Sequence, residues 1–336
     1  MILIVRHGKG KARLYPYMNK ALQYLQSKHP ALPQRVVIHE TGNPIPGLDN
    51  ITAVVFWLAD PLRERYPACY AEALEIAAAA RSRNLRIINP PESLSNAIKS
   101  VQARLWRQAG LPTPAVARFE TYDELLSHAA HLSYPLLIRA DECHGQAGIQ
   151  ICRNPADLHA IPKYHMVFPA AISELVDVRK TFLEKDPGSV WASFYHKKRL
   201  LVLGDMIRTK HIFFSSVPVV SANTCRLRLY RGVMAPLGWL TYLDPSAEAC
   251  IREDVDYWKR GHEHDTIMLS AVKTLGLDFA AIDYSSLTDG RVVLWEANPY
   301  CSLPRLFDIM APGRRHGRER IASYYHAISN FLASLP

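Results

Sequence analysis

The chain has 336 residues, of which 21% are charged and 49% hydrophobic, and it carries a formal net charge of +9. That length allows two or three domains with substantial cores, and the composition is that of an ordinary globular protein. The cationic surplus admits nucleic acid, a membrane surface or anionic substrates, but no block of five or more Lys/Arg occurs and no apolar run approaches the roughly 20 residues of a membrane helix, so phosphorylated small molecules fit best.

In chain order, "MILIVRH", "RVVIHE", "ITAVVFWLA" and "LRIIN" are short apolar runs that read as strands, with helical spacing at 13–27 and 65–83 between them. Strands alternating with helices predict an open parallel sheet with ligand sites at its carboxyl ends. Gly8-Lys9-Gly10-Lys11 lacks the P-loop pattern and reads as a turn. A chain that starts directly on an apolar strand suggests no signal peptide. The prolines of "NPPESL" (89–94) mark a boundary, with Ser93 as a helix cap and a helix over 95–109 ending at Gly110. A strand (115–119), a helix (122–131) and the strand-loop-strand "YPLLIRADECHGQAGIQIC" follow. From 164 to 243 the pattern is mainly strand, including "HMVFP", "AAISELV", "VWASFYHK" and "RLLVLGDMI". Helical patterns return at 246–275 and 318–335. The six cysteines (69, 143, 152, 225, 250, 301) form no C-x-x-C pair, which argues against zinc or a disulfide framework and for a reducing cytoplasm.

"AAIDYSSLTDGRVVLWEANPY" (280–300) holds the densest chemistry. Asp289-Gly290 predicts a two-residue type I′ turn, which sets Asp283 directly opposite Glu296 and places Asn298 on the same face. Ile282, Tyr284, Trp295 and Ala297 then point to a core. Opposed carboxylates roughly 4.5–5.5 Å apart repel. Three remedies are open: a shared proton, a bridging Arg, or a divalent cation held by hard oxygen ligands.

Other candidates are weaker one at a time. In 139–148 "RADECHGQAG", Gly145 and Gly148 allow close approach to an anion and Arg139 can pair with phosphate, although a plain hairpin explains them as well. Lys99 reads as a solvated lysine, and Arg199, Arg208 and Lys210 line a cleft or face water. His262 and His264, two apart, are ordinary histidines. Arg226/Arg228 on an alternating strand are either candidates for a substrate carboxylate or an exposed strand face, and Arg305 just beyond the hairpin is a further candidate.

Taken in order, three segments resemble the ATP-grasp superfamily of ATP-dependent ligases, which includes D-alanine–D-alanine ligase, glutathione synthetase and ribosomal-protein glutamate ligase. "NAIKSVQARLWRQAGLPTP" (96–114) is similar to the family's lysine helix and Gly-Leu-Pro-x-Pro end. "YPLLIRADECHGQAGI" (134–149) is similar to the strand, glycine loop and strand of the small lobe. The hairpin matches the family's Asp followed by Glu-x-Asn. The resemblance implies an α/β (α+β) architecture in three parts. An N-terminal open parallel αβ domain (1–92) precedes a linker helix and small lobe (93–176) and a large lobe with the metal hairpin (177–336), both lobes built on antiparallel sheets.

It further implies that Asp283, Glu296 and Asn298 hold two Mg²⁺ ions (Mn²⁺ can substitute) on the ATP phosphates. Lys99, Arg139 and the loop residues His144, Gly145 and Gly148 would meet the phosphates, with Lys210 beside them. Glu174, Leu175 and Val176 would meet the adenine, Asp177 the ribose and Arg199 the triphosphate; Arg305 is a candidate for the acceptor side by its proximity to these residues alone. Departures are Arg139 where Lys is usual, Cys143 and His144 in the loop, and Tyr300 and Cys301 after the Asn. The implied reaction joins a carboxylic acid to an amine, or less readily a thiol, through an acyl-phosphate with release of ADP and phosphate. Alternatives are an ATP-binding module without ligase activity and a small-molecule kinase. The expected partners are ATP and small-molecule or peptide carboxylates and amines, with no nucleic acid or membrane, and a homodimer is the default assembly.

Overall fold

The computed structural model describes residues 1–8, 27, 30–143, 148–221, 224–225, 244–261, 263–301 and 315–336. The first four strands, β1 (Ile2–Arg6), β2 (Val36–Glu40), β3 (Ala53–Trp57) and β4 (Arg86–Ile88), form a parallel sheet in the order β2-β1-β3-β4. Every residue of β1 and β3 is buried, which is why both read as unbroken apolar runs and not as alternating ones. Helices α1 (Leu62–Arg65) and α2 (Pro67–Ser82) follow β3. From α2, Ala73, Ile76, Ala77 and Ala80 cover one face of the sheet through Leu3, Val5, Val54 and Phe56. The expected helix over 13–27 and the 9–11 turn lie outside the described residues, apart from residue 27.

The stretch expected as one helix over 95–109 is two elements. Residues Pro91–Ala97 wind as a 3₁₀ turn after Pro90, and α3 (Lys99–Gln108) starts only past the extended Ile98. Ser93 therefore sits inside the 3₁₀ turn and caps nothing; consecutive prolines favour the tighter winding at its entry. Gly110, at φ 72°, ends the helix as foreseen.

The second sheet comprises β5 (Val116–Phe119), β6 (Leu136–Ala140), β7 (Gln150–Cys152) and β8 (Ala170–Glu174), antiparallel in the order β5-β8-β6-β7. Between its strands lie α4 (Tyr122–Ser127), whose Thr121 side chain accepts from Glu124 N, and α5 (Pro155–Ala160), whose Asn154 accepts from Asp157 N. Its core of Phe119, Leu125, Leu136, Ile138, Leu158 and Ile172 is separate from the others. "HMVFP" is not a strand: its first residue, His165, closes a 3₁₀ turn at Lys163–His165, and pairing begins at Ala170.

The rest builds α6 (Lys180–Lys185), α7 (Val190–Ser193), β9 (Tyr195–Leu203), β10 (Met206–Ser215), α8 (Pro245–Arg260), α9 (Asp265–Thr274), β11 (Phe279–Ser286), β12 (Val292–Asn298) and α10 (Arg315–Ser334). The start of "VWASFYHK" is helical because Ser189 caps it by accepting from Ala192 N. The antiparallel order is β10-β9-β11-β12. One face of this sheet (Leu200, Val202, Ile282, Tyr284, Leu294) packs on α9 and on Trp106 of α3, whose indole donates to Ala271 O at 2.8 Å. The other face divides in two. Leu201, Leu203, Phe279 and Ala281 lie in one core with Tyr324, Ile328 and Phe331 of α10 and with Ile2, Ile4 and Val55 of the first sheet. Beyond Ala281 that same face turns polar.

The hairpin reaches its expected pairing by a different route. Leu287 N donates to Arg291 O and Gly290 N to Leu287 O, so the loop is three residues, 288–290, with Gly290 at φ 83°. Tyr284 consequently pairs with Leu294. A bulge at Trp295 then restores Asp283 opposite Glu296 and Ala281 opposite Asn298. Leu294 takes the core position expected for Trp295. The Trp295 ring lies half-buried and its Nε1 donates to the Ser285 hydroxyl at 2.8 Å, on the Asp283 side.

Candidate active site

The polar half-face is organised by register. Arg199 on β9 pairs with Asp283 on β11, which pairs with Glu296 on β12, giving a row of cation, anion and anion across three strands. Asp283 is fully buried. Arg199 donates Nε to its Oδ1 and Nη2 to its Oδ2, the latter at 2.7 Å, and Lys197 Nζ lies 2.8 Å from Oδ2. Burial pushes this carboxyl up, but the charges of Arg199 and then Lys197 outweigh it and hold the group well below the usual carboxylate range. Arg199 thus pairs with Asp283, joined by a lysine the sequence reading did not single out, while Glu296 stands beside Lys99; a single arginine bridging both carboxylates is not what these bonds show. The signal for Lys197 was available: it stands two residues before Arg199 and so shares its face.

Two β-bulges flank this row. One is at Trp295. The other makes Lys210 an extra residue between Thr209, paired with Leu200, and His211, paired with Arg199. Bulges of this kind re-aim side chains. Lys210 is buried, its ammonium is 5.4 Å from the Tyr324 ring centroid, and burial lowers its pKa to about 8 within reach of the charges on Arg199 and Asp283. Arg208, by contrast, is exposed and bonds the Ile207 carbonyl, so it faces water.

Lys99 comes from the first turn of α3. Its Nζ donates to Cys143 O at 2.7 Å and stands 3.7 Å from Glu296 Oε1. Burial lowers its pKa, partly offset by Glu296, while the charge of Arg139 pushes the same way as burial. Arg139, on β6 opposite Ala171, is half-buried. The entry to the glycine loop thus meets the third sheet at Lys99 and Glu296. Gly148 sits at φ 63°, where a Cβ would come within 3.1 Å of Val167 N, so the position demands glycine. His144 and Gly145 lie outside the described residues, as do Arg226, Arg228, His262 and Arg305.

Glu174 is exposed at the end of β8, and Leu175 N donates to Pro135 O at 2.7 Å, with Val176 half-buried beyond it. Asp177 is engaged locally: Arg179 bonds both its oxygens at 3.0 and 2.8 Å and stacks 3.7 Å over the Tyr195 ring. Asn298 is buried and its Nδ2 has no hydrogen-bond partner. The segment beyond it is tied to the first sheet, since Tyr300 N donates to Asp60 Oδ1 at 3.3 Å. The geometry gathers Lys99, Arg139, Arg199, Lys210, Asp283, Glu296 and Asn298, with Lys197 added.

Residues 99–184 match the family model described as carbamoyl-phosphate synthase L chain, ATP binding domain. Solved structures align over nearly the whole chain. D-cycloserine synthetase DcsG matches at 13% identity with a TM-score of 0.54, covering 99% of this chain and 100% of that one. The D-alanine-D-alanine ligase from Coxiella burnetii matches at 10% identity and TM-score 0.53, covering 100% and 94%. The ATP-grasp ligase PsnB, solved with minimal precursor, Mg and ADP, matches at 14% and 0.51, covering 98% of each chain. The fold is ATP-grasp. By sequence, no curated protein matches the chain.

Within this ATP-grasp fold, the candidate site lies where the second sheet and α3 meet the polar half-face of the third sheet. Among the described residues, no three His, Cys, Asp or Glu side chains gather as a metal cluster. The candidate donor set is instead two carboxylates and an amide, all hard oxygen ligands of the kind divalent magnesium prefers. The unpartnered atom of Asn298 is Nδ2, a donor that suits an acceptor such as a phosphate oxygen, and both oxygens of Asp283 already bond cations. Also among the described residues, no helix is long and apolar enough to cross a membrane.

Proposed function

We propose that the protein is an ATP-dependent ligase that joins a carboxylic acid to an amine with release of ADP and phosphate. The observation that carries this reading is the convergence of Lys99, Arg139, Arg199 and Lys210 on Asp283, Glu296 and Asn298 at the mouth of the glycine loop. A triphosphate needs a high density of fixed cations, and the site holds that density in a low-dielectric setting where it acts most strongly. Ligases among the structural neighbours support the same choice.

In this scheme Lys99 and Arg139 bind the α- and β-phosphates, aided by His144, Gly145 and Gly148. The segment Glu174–Val176 takes the adenine and Asp177 the ribose. Asp283, Glu296 and Asn298 would hold Mg²⁺, two ions by our reading, which would neutralise charge on the phosphates. The substrate carboxylate attacks the γ-phosphorus, breaking its bond to the bridging oxygen so that ADP leaves and an acyl-phosphate forms. Arg199 and Lys210 stabilise the charge on the transferring group. The amine then attacks the acyl carbon, the C–O bond breaks with its electrons going to the departing phosphate, and that phosphate takes up the proton the amine loses. Arg305 orients the acceptor. Loop 140–148 keeps water from the acyl-phosphate. The division into 1–92, 93–176 and 177–336 gives an αβ domain preceding the ATP-grasp module, a linker helix with the small lobe, and a large lobe with the metal hairpin, and cysteines outside any disulfide suit a reducing cytoplasm.

Incubation with Mg-ATP and pools of acids and amines tests this reading. Acceptor-dependent release of ADP and phosphate is expected, and Glu296→Gln should lower it by about a hundredfold or more with an unchanged melting curve. Release of AMP and pyrophosphate would contradict the scheme. One observation favours a second reading, an ATP-binding module without ligase activity: both oxygens of Asp283 already bond cations. Saturable Mg-ATP binding with no acceptor-dependent turnover would select it.

A further inference from the structure

Helix α3 starts with a defect. Its N-cap position is held by Ile98, whose side chain can accept nothing, so the first amides of the helix lack local partners. The missing cap comes from 41 residues away: Asp141 Oδ1 accepts from Ser100 N at 2.8 Å and Oδ2 from the Ser100 hydroxyl at 2.5 Å. Arg118 Nη1 adds a third bond to Oδ2 at 3.0 Å. A carboxylate that is 0% exposed needs such partners, and a negative charge at a helix N-terminus is favoured by the helix dipole.

The same residue fixes the lysine tip. The Asp141 backbone oxygen accepts from Lys99 N at 3.5 Å and from Lys99 Nζ at 3.4 Å, and two residues on Cys143 O accepts Nζ at 2.7 Å. Asp141 N in turn donates to Pro169 O, at the start of β8. Further along, α3 is bolted to the large sheet: Gln102 Oε1 accepts from Ala297 N at 2.9 Å, one residue from Asn298 and from Glu296. The start of the lysine helix and the entry of the glycine loop are thereby joined through one buried carboxylate.

We infer that Asp141 is a positioning residue, a remote cap of the linker helix that sets Lys99 and the glycine-loop entry as a single phosphate-binding unit. This deepens the ATP-dependent reading above and rests on it. Asp141→Asn preserves volume and one acceptor but removes the charge and faces an amide N–H towards Arg118.

The test is a double-mutant cycle on the full chain with Mg-ATP. Asp141→Asn should raise the KM for ATP about tenfold while kcat changes less than threefold. In a Lys99→Ala background the same substitution should change KM less than twofold, because the group it positions is gone. Ser100→Ala, which keeps the carboxylate and removes one donor, should raise KM about threefold with the same dependence on Lys99. Hydrogen exchange at the Ser100 amide should accelerate in Asp141→Asn. Equal fold-changes with and without Lys99, or unchanged KM in both variants, would overturn the inference. Should Asp141→Asn fail to fold, Ser100→Ala in the two backgrounds decides. A wild-type chain that binds no Mg-ATP would instead sink the functional reading, and this inference with it.

Discussion

Two fully buried aspartates stand on either side of the site, and the protein stabilises them by different means. Asp283, on the large sheet, is matched by two full cations, Arg199 and Lys197, in a row set by strand register. Asp141, just past β6 of the second sheet, is matched chiefly by hydrogen bonds from Ser100, with Arg118 at 30% side-chain exposure as its charged partner. The first arrangement stores surplus positive charge at a fixed place. The second uses a carboxylate to tie two elements distant in sequence. A sheet can build a charge row because neighbouring strands repeat the same alternation, whereas a helix start offers amides, and those select an acceptor.

The comparison can be broken by substitution. Asp283→Ala takes the aspartate from two part-buried cations, Arg199 and Lys197, and should cost about 3 kcal/mol in urea unfolding. A loss below about 1 kcal/mol would mean that the cations reach water easily and the row is not a stored charge. The contrast also predicts what happens to buried groups that have no charge partner. Burial pushes His7 down to about 4, and burial with some help from Lys198 pushes His196 down to about 3. Both folded values lie below the ordinary 6.5, so the unfolded chain binds protons first. Stability should be full above pH 6.5 and fall as pH drops towards 4, by about 1.4 kcal/mol per pH unit for each histidine. His7→Gln that retains the Ala59 N–H bond should flatten part of that slope; an unchanged profile would remove His7 from the account. The smallest effect is expected at the rim: Arg118→Ala should cost about 1 kcal/mol or less, since its charge is partly screened by solvent. A loss as large as that of Asp283→Ala would show that Asp141 depends on ionic pairing after all.

Much of this was legible before any coordinates. Period-two alternation put Asp283, Glu296 and Asn298 on one face, and the order of the lysine helix, glycine loop and metal-type hairpin pointed to the ATP-grasp fold. The hairpin also shows how a local rule can reach a sound pairing incompletely. The turn is one residue longer than Asp289-Gly290 suggested, and the Trp295 bulge cancels that difference before Asp283. Ser93 was misplaced because a cap signature does not tell an α-helix from a 3₁₀ turn.

By itself, then, the sequence determined which side chains could share a face and which segments follow one another, because side-chain alternation and turn chemistry act over a few residues. The tertiary structure alone decided the rest. It chose the bulges that aim Lys210 and Trp295, the pairing of Lys197 with Asp283, the capping of α3 by Asp141, and the covering of the first sheet by α10. Each of these depends on which strands and helices become neighbours across tens to hundreds of residues. That choice is made by burying apolar faces together, and no local pattern encodes the partner.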